Sequence, residues 1–169
     1  MQDTFIEQLI KRELTAADRI KRLGLIFFAV AVFTFSMAIV PGFGMIITVV
    51  VGIGIYFLIS RLKREYEYTF TNGELDIDVI YNRSSRKRLF SAQVRDFEIM
   101  AHADDEAHKN SFASATDKLD CSTGVITERS YKFLANYKGK RYAITLEPND
   151  ELLKAMVKIL TRRKFHPKK

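Results

Sequence analysis

The sequence lacks the residues on which several classes of protein depend. Its 169 residues include a single cysteine, Cys121, so no intramolecular disulfide can form and no Cys/His zinc spacing exists. No GxGxxG, Walker or GxSxG motif is present. These absences predict a protein that is not an enzyme and has no cofactor. Cys121 is expected to be a small buried or half-buried thiol rather than a nucleophile, in a domain that faces a reducing cytoplasm.

Charge is also missing from one long stretch. Between Leu23 and Ser60 there is no Asp, Glu, Lys, Arg or His, although 28% of the whole chain is charged. The stretch divides into LGLIFFAVAVFTFSMAIV and MIITVVVGIGIYFLIS around PGFG. Each half approaches the length that a helix needs to cross a hydrocarbon core of about 30 Å, and Pro41-Gly42 permits a sharp reversal. The sequence therefore predicts a transmembrane helical hairpin over residues 23–60.

Basic residues flank this hairpin on both sides and are missing from its turn. Because Lys and Arg concentrate on the cytoplasmic side of membrane proteins, the sequence predicts a multi-pass protein of the cell membrane with both termini in the cytoplasm. A re-entrant hairpin stays an alternative because both apolar halves are short. A cleaved signal peptide does not explain the second apolar run. The flanking basic residues are Lys11, Arg12, Arg19, Lys21, Arg22, Arg61, Lys63 and Arg64.

Small residues occupy part of each predicted transmembrane helix. In the second helix Gly44, Thr48 and Gly52 follow one another at four-residue spacing. Such faces allow helices to approach closely in lipid. They favour packing of the two helices against each other, and self-association into a homo-oligomer is the alternative interpretation.

Residues 1–22 are predicted to form an amphipathic helix on the cytoplasmic side. Thr4 precedes Glu7 by three residues, which is the spacing of a capping box. Thr15 and Asp18 repeat that spacing. The helix could lie on the inner membrane surface or pack on the soluble domain, and both alternatives stay open. Its apolar stripe at helical spacing comprises Ile6, Leu9, Ile10, Leu14, Ala17 and Ile20.

After Arg64 the pattern changes to the period-two alternation of β-strands. Alternating residues cover 66–70 and 75–79, and Asn72-Gly73 between them is a strong β-hairpin signal. Asn149 or Asp150 can cap a final helix. The domain 65–162 is therefore predicted to be β-rich with a C-terminal helix. Its other predicted features are strands at 87–91, 94–100, 125–126, 131–137 and 141–146, a long polar loop or partly ordered insert at 101–124, and a frayed basic tail at 163–169.

The segments YEYTFTNGELDIDV, RKRLFSAQVRDFEI and LEPNDELLKAMVKIL occur in the order found in bacterial pleckstrin-homology-like (PH-like) domains. The whole chain resembles a family of small bacterial membrane proteins that combine two transmembrane helices with such a domain. The resemblance implies an α+β membrane protein in which one helix closes a set of antiparallel strands. Phosphoinositide-binding members of the wider fold place basic residues around the first hairpin. Here that turn is Thr71-Asn72-Gly73-Glu74, so phosphoinositide recognition is not expected.

The basic residues of the domain cluster one hairpin later and in the tail. For a chain with a formal net charge of +7 that lies in a bilayer, anionic inner-leaflet lipids are the nearest anionic partner, and nucleic acid is not expected. The alternative interpretation is that these side chains keep the outer face of a strand hydrated. The residues predicted to contact the membrane surface are Arg83, Arg86, Lys87, Arg88, Arg162, Arg163 and Lys164.

The segment HADDEAH, His102–His108, contains metal-ligand residue types, but its spacing matches no zinc or calcium loop. A solvated acidic loop is expected there. The function predicted from the sequence is a membrane-anchored, non-catalytic binding module that acts as an adaptor or assembly factor for an unidentified protein partner. One alternative is a structural subunit of a larger membrane complex that acts through its hairpin. The other is a metal-dependent enzyme that uses His102, Asp104 and His108.

Overall fold

The computed structural model describes residues 4–40, 42–161 and 163–167. The chain forms two units that are not consecutive in sequence. Leu14–Arg64 forms a helical unit, whereas the chain up to Glu13 and the chain from Glu65 onward together form a β domain. The helical unit is therefore an insertion within the β domain.

Two helices form the helical unit, α1 (Ala16–Ile39) and α2 (Gly44–Ser60). Helix α1 begins at the predicted capping box. Thr15 Oγ1 accepts from the Asp18 backbone N–H at 3.2 Å, and Asp18 accepts from the Thr15 N–H at 3.2 Å. This capping box is confirmed.

The surface of the helical unit is apolar and exposed. No residue of α1 is buried, and Phe27 of α1 is 77% exposed. By length and composition α1 can cross a membrane, whereas α2 is apolar but has only 17 residues. At 1.5 Å per residue α2 is about 26 Å long, which is slightly less than the thickness of a hydrocarbon core. Among the described residues, the structure thus contains one helix of clear spanning length beside a shorter apolar one.

The two helices pack through small and hydroxyl side chains. A Cβ atom on Gly44 would lie 2.6 Å from the Ser36 carbonyl oxygen, so only glycine permits this approach of the backbones. Ser36 Oγ lies 3.1 Å from Thr48 Oγ1 and donates to the Gly44 carbonyl at 3.2 Å. Packing within the hairpin is therefore confirmed for Gly44 and Thr48. Gly52 has open space around it, so its role in close packing is not confirmed.

The first sheet of the β domain contains the predicted Asn72-Gly73 hairpin. Both turn residues have positive φ angles, 50° and 97°, which a two-residue type I′ turn requires. A β-bulge between Ile77 and Asp78 shifts the register of the last two strands. The strands, in the order β1-β2-β3-β4, are β1 (Phe5–Lys11), β2 (Arg64–Thr71), β3 (Glu74–Tyr81) and β4 (Ser85–Gln93).

Strand β1 corrects the prediction of an amphipathic helix over residues 1–22, which is wrong for Phe5–Lys11. Ile6 is buried, while Phe5 and Leu9 are exposed, and this is the period-two pattern of an edge strand. The apolar residues are compatible with both periods, and β2 supplies the hydrogen-bonding partner that decides between them. Helical structure begins only at Ala16.

The second sheet has the order β6-β8-β7-β5-β9, in which the β6–β8 and β5–β9 pairs are parallel and the others antiparallel. The Lys138-Gly139 turn and the Asn149 cap of the last helix are where the sequence predicts them. The elements are β5 (Ile99–His102), α3 (Lys109–Ala113), β6 (Asp117–Asp120), β7 (Tyr131–Tyr137), β8 (Lys140–Leu146), α4 (Asp150–Ile159) and β9 (Phe165–His166).

Three sequence-based expectations for this half are corrected. Segment 101–124 is not a long loop, because it contains the end of β5, a short helix and β6. The tail forms β9, with Phe165 opposite Met100, because the second sheet offers it a free edge. Residues 125–126 are not a strand, and the strand predicted from Val94 starts at Ile99 after a 3₁₀ turn.

One hydrophobic core contains residues from both sheets and α4. At its centre the rings of Phe97 and Phe133 stack with their centroids 4.1 Å apart, and Phe90 meets Phe133 edge-on at 5.4 Å. Leu152 and Met156 of α4 are fully buried in the same cluster. The core therefore holds both sheets and the C-terminal helix in one β domain.

Candidate functional site

The helical unit is inserted between two strands that pair with each other. Strands β1 and β2 are antiparallel neighbours, with Lys11 opposite Glu65 and Phe5 opposite Thr71. The chain therefore leaves the β domain toward α1 and returns from α2 at adjacent points of one sheet. We call this end of the first sheet, at Lys11 and Glu65, the tether end.

Two further segments of the β domain lie at the tether end. The β3–β4 turn is held there by Arg83, whose Nε lies 3.5 Å from Glu65. The loop between β6 and β7 is held there by the last residues before the helical unit. Arg12 Nη1 donates to the Asp120 carbonyl at 3.1 Å, and the Glu13 N–H donates to the Thr123 carbonyl at 2.8 Å.

The arginines of the predicted membrane-contact cluster form ion pairs within the first sheet. Arg86 bridges Glu67 and Asp78, with its Nε 2.8 Å from the Asp78 carboxylate. Arg88 also pairs with Asp78 and lies 2.7 Å from Asp76. Both acidic partners of Arg86 are buried, whereas the two guanidinium groups are about half exposed. The arginines therefore neutralise carboxylates that the outer face of the sheet would otherwise hold without compensation.

This pairing limits the positive charge that the cluster presents. Arg83, Arg86 and Arg88 contact four carboxylates. Lys87 is exposed and has no ion pair within the described residues. Membrane contact by these four residues stays a prediction. The three arginines form a network of ion pairs, so the cluster presents less positive charge than its sequence suggests. Sequence reasoning missed the pairing because cross-strand register cannot be seen in the sequence. The four carboxylates belong to Glu65, Glu67, Asp76 and Asp78.

Glu67 has an acidic neighbour as well as a basic one. A hydrogen bond with Glu7 of β1 and burial raise the pKa of Glu67, and Arg86 opposes them. Glu67 therefore interacts with Glu7 of the neighbouring strand as well as with Arg86.

The tail residues of the membrane-contact prediction are only partly open to solvent. Lys164 Nζ donates to the Arg95 carbonyl at 2.9 Å, and the Lys164 carbonyl accepts from the Met100 N–H at 2.7 Å. Arg163 is exposed. Arg162 lies outside the described residues.

All three histidines of the chain line one cleft of about 530 Å³. The rings of His108 and His166 lie 4.2 Å apart, and His108 Nδ1 is 2.7 Å from Asp105. His102 is buried, and its Nε2 lies 3.1 Å from the Thr127 carbonyl. The sequence indicated His102 and His108, but it missed His166 because β9 was predicted as a frayed tail.

The histidine cleft does not assemble a metal centre from the described residues. Across residues 4–40, 42–161 and 163–167, no three His, Cys, Asp or Glu side chains are placed to hold one ion. Instead the polar groups bond to one another. The hydrogen bond with His108 lowers the pKa of Asp105, and the Asp104 N–H donates to His102 Nδ1 at 3.3 Å. The predicted metal-dependent alternative therefore gains no geometric support.

A second groove of about 510 Å³ lies beside the histidine cleft, and Asp104–Glu106 lines both. Its lining combines apolar side chains with lysines and with the carboxylates of Asp104, Asp105, Glu106 and Asp120, a composition that suits a peptide segment with apolar and polar side chains. The main lining residues are Phe112 of α3, Ile126 of the β6–β7 loop, Lys118 of β6, Lys132 of β7, and Ala143 and Thr145 of β8.

Cys121 is buried, as predicted. Burial raises the pKa of its thiol to about 12, so the thiolate is not formed near neutral pH. Its carbonyl accepts from the Tyr68 hydroxyl at 2.6 Å. These contacts indicate a structural residue that joins β2 to the end of β6.

Comparison with models of protein families matches residues 2–166 to the family described as bacterial PH-like domain (DUF6106). The match covers nearly the whole chain, and the chain therefore belongs to this family. Comparisons with curated proteins and with solved structures gave no match. A PH-like domain indicates a binding module, and the family description names no ligand.

Proposed function

We propose that this member of the bacterial PH-like family is a membrane-anchored, non-catalytic binding module at the cytoplasmic face of the cell membrane. The observation that carries the proposal is an apolar helical hairpin, inserted between two paired strands, whose large side chains are mostly exposed. Exposed apolar surface of this extent is unfavourable in water, and a bilayer removes it from water.

The pairing of β1 with β2 supports two crossings of the membrane in place of one. If α1 crossed and α2 did not, the two strands would lie on opposite sides of the bilayer and could not pair. The uncharged part of α1, residues 23–39, is as long as α2, about 26 Å. Local thinning of the bilayer and snorkelling of flanking Lys and Arg side chains offset the small shortfall in length. A re-entrant hairpin also returns the chain to the same side of the membrane, so β1 and β2 could pair in that case too. The labelling experiment below distinguishes it from a hairpin that crosses fully.

A cysteine placed at Phe43, in the turn of the hairpin, is expected to react with a membrane-impermeant maleimide in intact cells. A cysteine at Thr71, in the β domain, is expected to react only after the membrane is permeabilised, because the flanking Lys and Arg favour a cytoplasmic location for that domain. Both positions are exposed. Native Cys121 contributes no background because its buried thiol stays protonated.

Two results would contradict this topology. Labelling of Thr71→Cys in intact cells would show that the β domain lies on the opposite side of the membrane. Protection of both cysteines in intact cells would support a re-entrant hairpin whose turn does not reach the far side.

The binding partner that we propose is a protein, held in the second groove, and the chain acts as an adaptor or assembly factor. The groove supports this proposal because apolar residues and charged residues of both signs line an open surface of the β domain. The alternative is a structural subunit whose hairpin associates with other transmembrane helices. The exposed apolar surface of α1 and α2 supports that alternative equally well.

Purification in a mild detergent with identification of partners separates these two functions. Thr145→Arg places a long cationic side chain in the groove, and Thr69→Arg is its control on the first sheet. For an adaptor, we expect a stoichiometric partner with the wild type and Thr69→Arg, and at least tenfold less partner with Thr145→Arg. A partner that is retained by residues 14–64 alone would support the structural subunit and contradict the adaptor.

A further inference from the structure

The β domain exposes two consecutive large apolar side chains in a loop. Val125 is 51% exposed and Ile126 is 55% exposed, between β6 and β7. We infer that this loop inserts both side chains into the head-group layer of the bilayer that anchors the protein. The inference rests on the proposed membrane anchoring and adds a second, non-covalent contact with the same membrane. Because Ile126 also lines the second groove, the inference concerns the chain without a bound protein partner.

The loop is fixed beside the point where the chain leaves for α1. The Thr123 carbonyl accepts from the Glu13 N–H at 2.8 Å, and Arg12 lies 3.5 Å from the Asp120 carboxylate. A Cβ on Gly124 would be in ordinary contact with Arg12 at 3.9 Å. Asp120 at the end of β6 and Thr123 in the loop therefore contact Arg12 and Glu13, the last two residues of the β domain before the helical unit.

The connections to the membrane helices are short enough to keep the tether end near the lipid. From Ser60, the last residue of α2, to Glu65 the chain spans at most about 17 Å. On the other side, the charged first part of α1, residues 16–22, rises about 10 Å before the uncharged stretch begins. The head-group layer is about 5–7 Å thick on each side. An exposed side chain at the tether end is therefore within reach of that layer.

The loop holds its apolar side chains outward in a preformed shape. Thr123 Oγ1 and Ser130 Oγ both donate to buried Glu147, at 3.0 and 3.1 Å. The Thr127 N–H donates to Ser130 Oγ at 2.8 Å. Because these bonds brace the loop on both sides of Val125 and Ile126, the two side chains cannot fold back onto the core without breaking them.

Charge near the loop also suits a head-group layer. Arg129 follows the apolar pair by three residues, is 67% exposed and forms an ion pair of 3.8 Å with the exposed Asp150. Amphipathic segments, best known as helices, that combine apolar and basic side chains bind at the boundary between head groups and hydrocarbon. Both partners of this pair are exposed, whereas the arginines of the first sheet pair with largely buried carboxylates.

The test uses the full chain in phospholipid nanodiscs, with an environment-sensitive nitrobenzoxadiazole dye on an engineered cysteine. Ile126→Cys and Val125→Cys report on the loop. Thr71→Cys is the matched control, because it lies six residues along β2 from the tether end, about 20 Å away. We expect spin-labelled head-group lipids to quench the two loop dyes at least twofold more than the control dye, together with a blue shift of their emission.

Equal quenching at the loop and at Thr71 would overturn the inference. A loop dye that is blue-shifted but not quenched would also overturn it, because apolar protein surface and not lipid would then cover the dye. Failure of the anchoring is recognised separately: if alkaline carbonate releases the wild-type chain from membranes, the proposed function itself fails. If carbonate does not release the chain and the loop dyes are not quenched, the proposed anchoring stands and only the inferred loop contact is contradicted.

Discussion

Replacing residues 12–64 with an Asn-Gly turn is expected to yield a soluble, folded β domain. Lys11 and Glu65 are opposite one another in an antiparallel pair, so a two-residue turn can close the β1–β2 hairpin. The replacement removes the partly exposed ion pair between Arg12 and Asp120, worth at most about 1 kcal/mol. It also removes the hydrogen bond from the Glu13 N–H to the Thr123 carbonyl, worth about 1 kcal/mol. Size-exclusion chromatography and a cooperative thermal transition would test this result.

The matched control is a chain that begins at Glu65 and so lacks β1. It loses the burial of Ile6 and the whole β1–β2 ladder. It also loses the side chain of Gln8, which donates to the Glu147 carbonyl at 2.8 Å and accepts from the Asn149 N–H at 2.7 Å. Burial of one Ile alone contributes about 2–3 kcal/mol, so we expect the control to lose most of a total stability of about 5–15 kcal/mol.

Two results with this pair of variants would contradict the prediction. A control that unfolds with the same midpoint as the turn-closed domain would show that β1 contributes no stability. A turn-closed domain that aggregates would show that the β domain depends on the helical unit or on lipid.

Gly44→Val is expected to disrupt the packing of α1 against α2. The new Cβ would lie 2.6 Å from the Ser36 carbonyl oxygen and 2.8 Å from its carbonyl carbon, and backbone atoms cannot move aside as a flexible side chain can. The helices must separate, which also lengthens the contact between Ser36 and Thr48. We expect a loss of about 1–3 kcal/mol, measured as a lower midpoint of thermal unfolding in detergent micelles.

Gly52→Val is the control for this substitution, because no atom lies within 4 Å of a Cβ at that position within the described residues. Both variants add the same side chain to the same helix. Gly44 is its first residue and Gly52 is interior, where Val favours the helix over Gly by about 0.3–0.5 kcal/mol, less than the loss expected at Gly44. An equal effect at the two positions would contradict the close contact at Gly44. A large effect at Gly52 alone would instead indicate packing against a second copy or another protein.

Much of the local structure follows from short-range patterns. The Asn72-Gly73 turn, the Thr15 capping box and the Asn149 helix cap each depend on residues at most three positions apart. Such features require no partner from elsewhere in the chain, so the sequence alone predicts them. The uncharged stretch from Leu23 to Ser60 is equally local, because hydrophobicity and length can be read directly.

The errors occurred where a distant segment completes an element. Phe5–Lys11 has apolar residues that suit either a helix or a strand, and only the free edge of β2, more than fifty residues later, makes it a strand. The same holds for β9, which needs the edge of β5. Isolated short strands are not stable, so their existence depends on a neighbour that the local pattern does not contain.

By itself, the sequence determined that the chain combines an apolar hairpin with a β-rich, PH-like domain, because periodicity, turn residues and hydrophobic length are local properties. Only the tertiary structure decided that the hairpin is an insertion between β1 and β2, that Arg86 and Arg88 are paired with Asp78, and that Val125 and Ile126 lie beside Glu13. These relations depend on which distant strands pair and in what register, and register is set by long-range packing that no short stretch of sequence specifies.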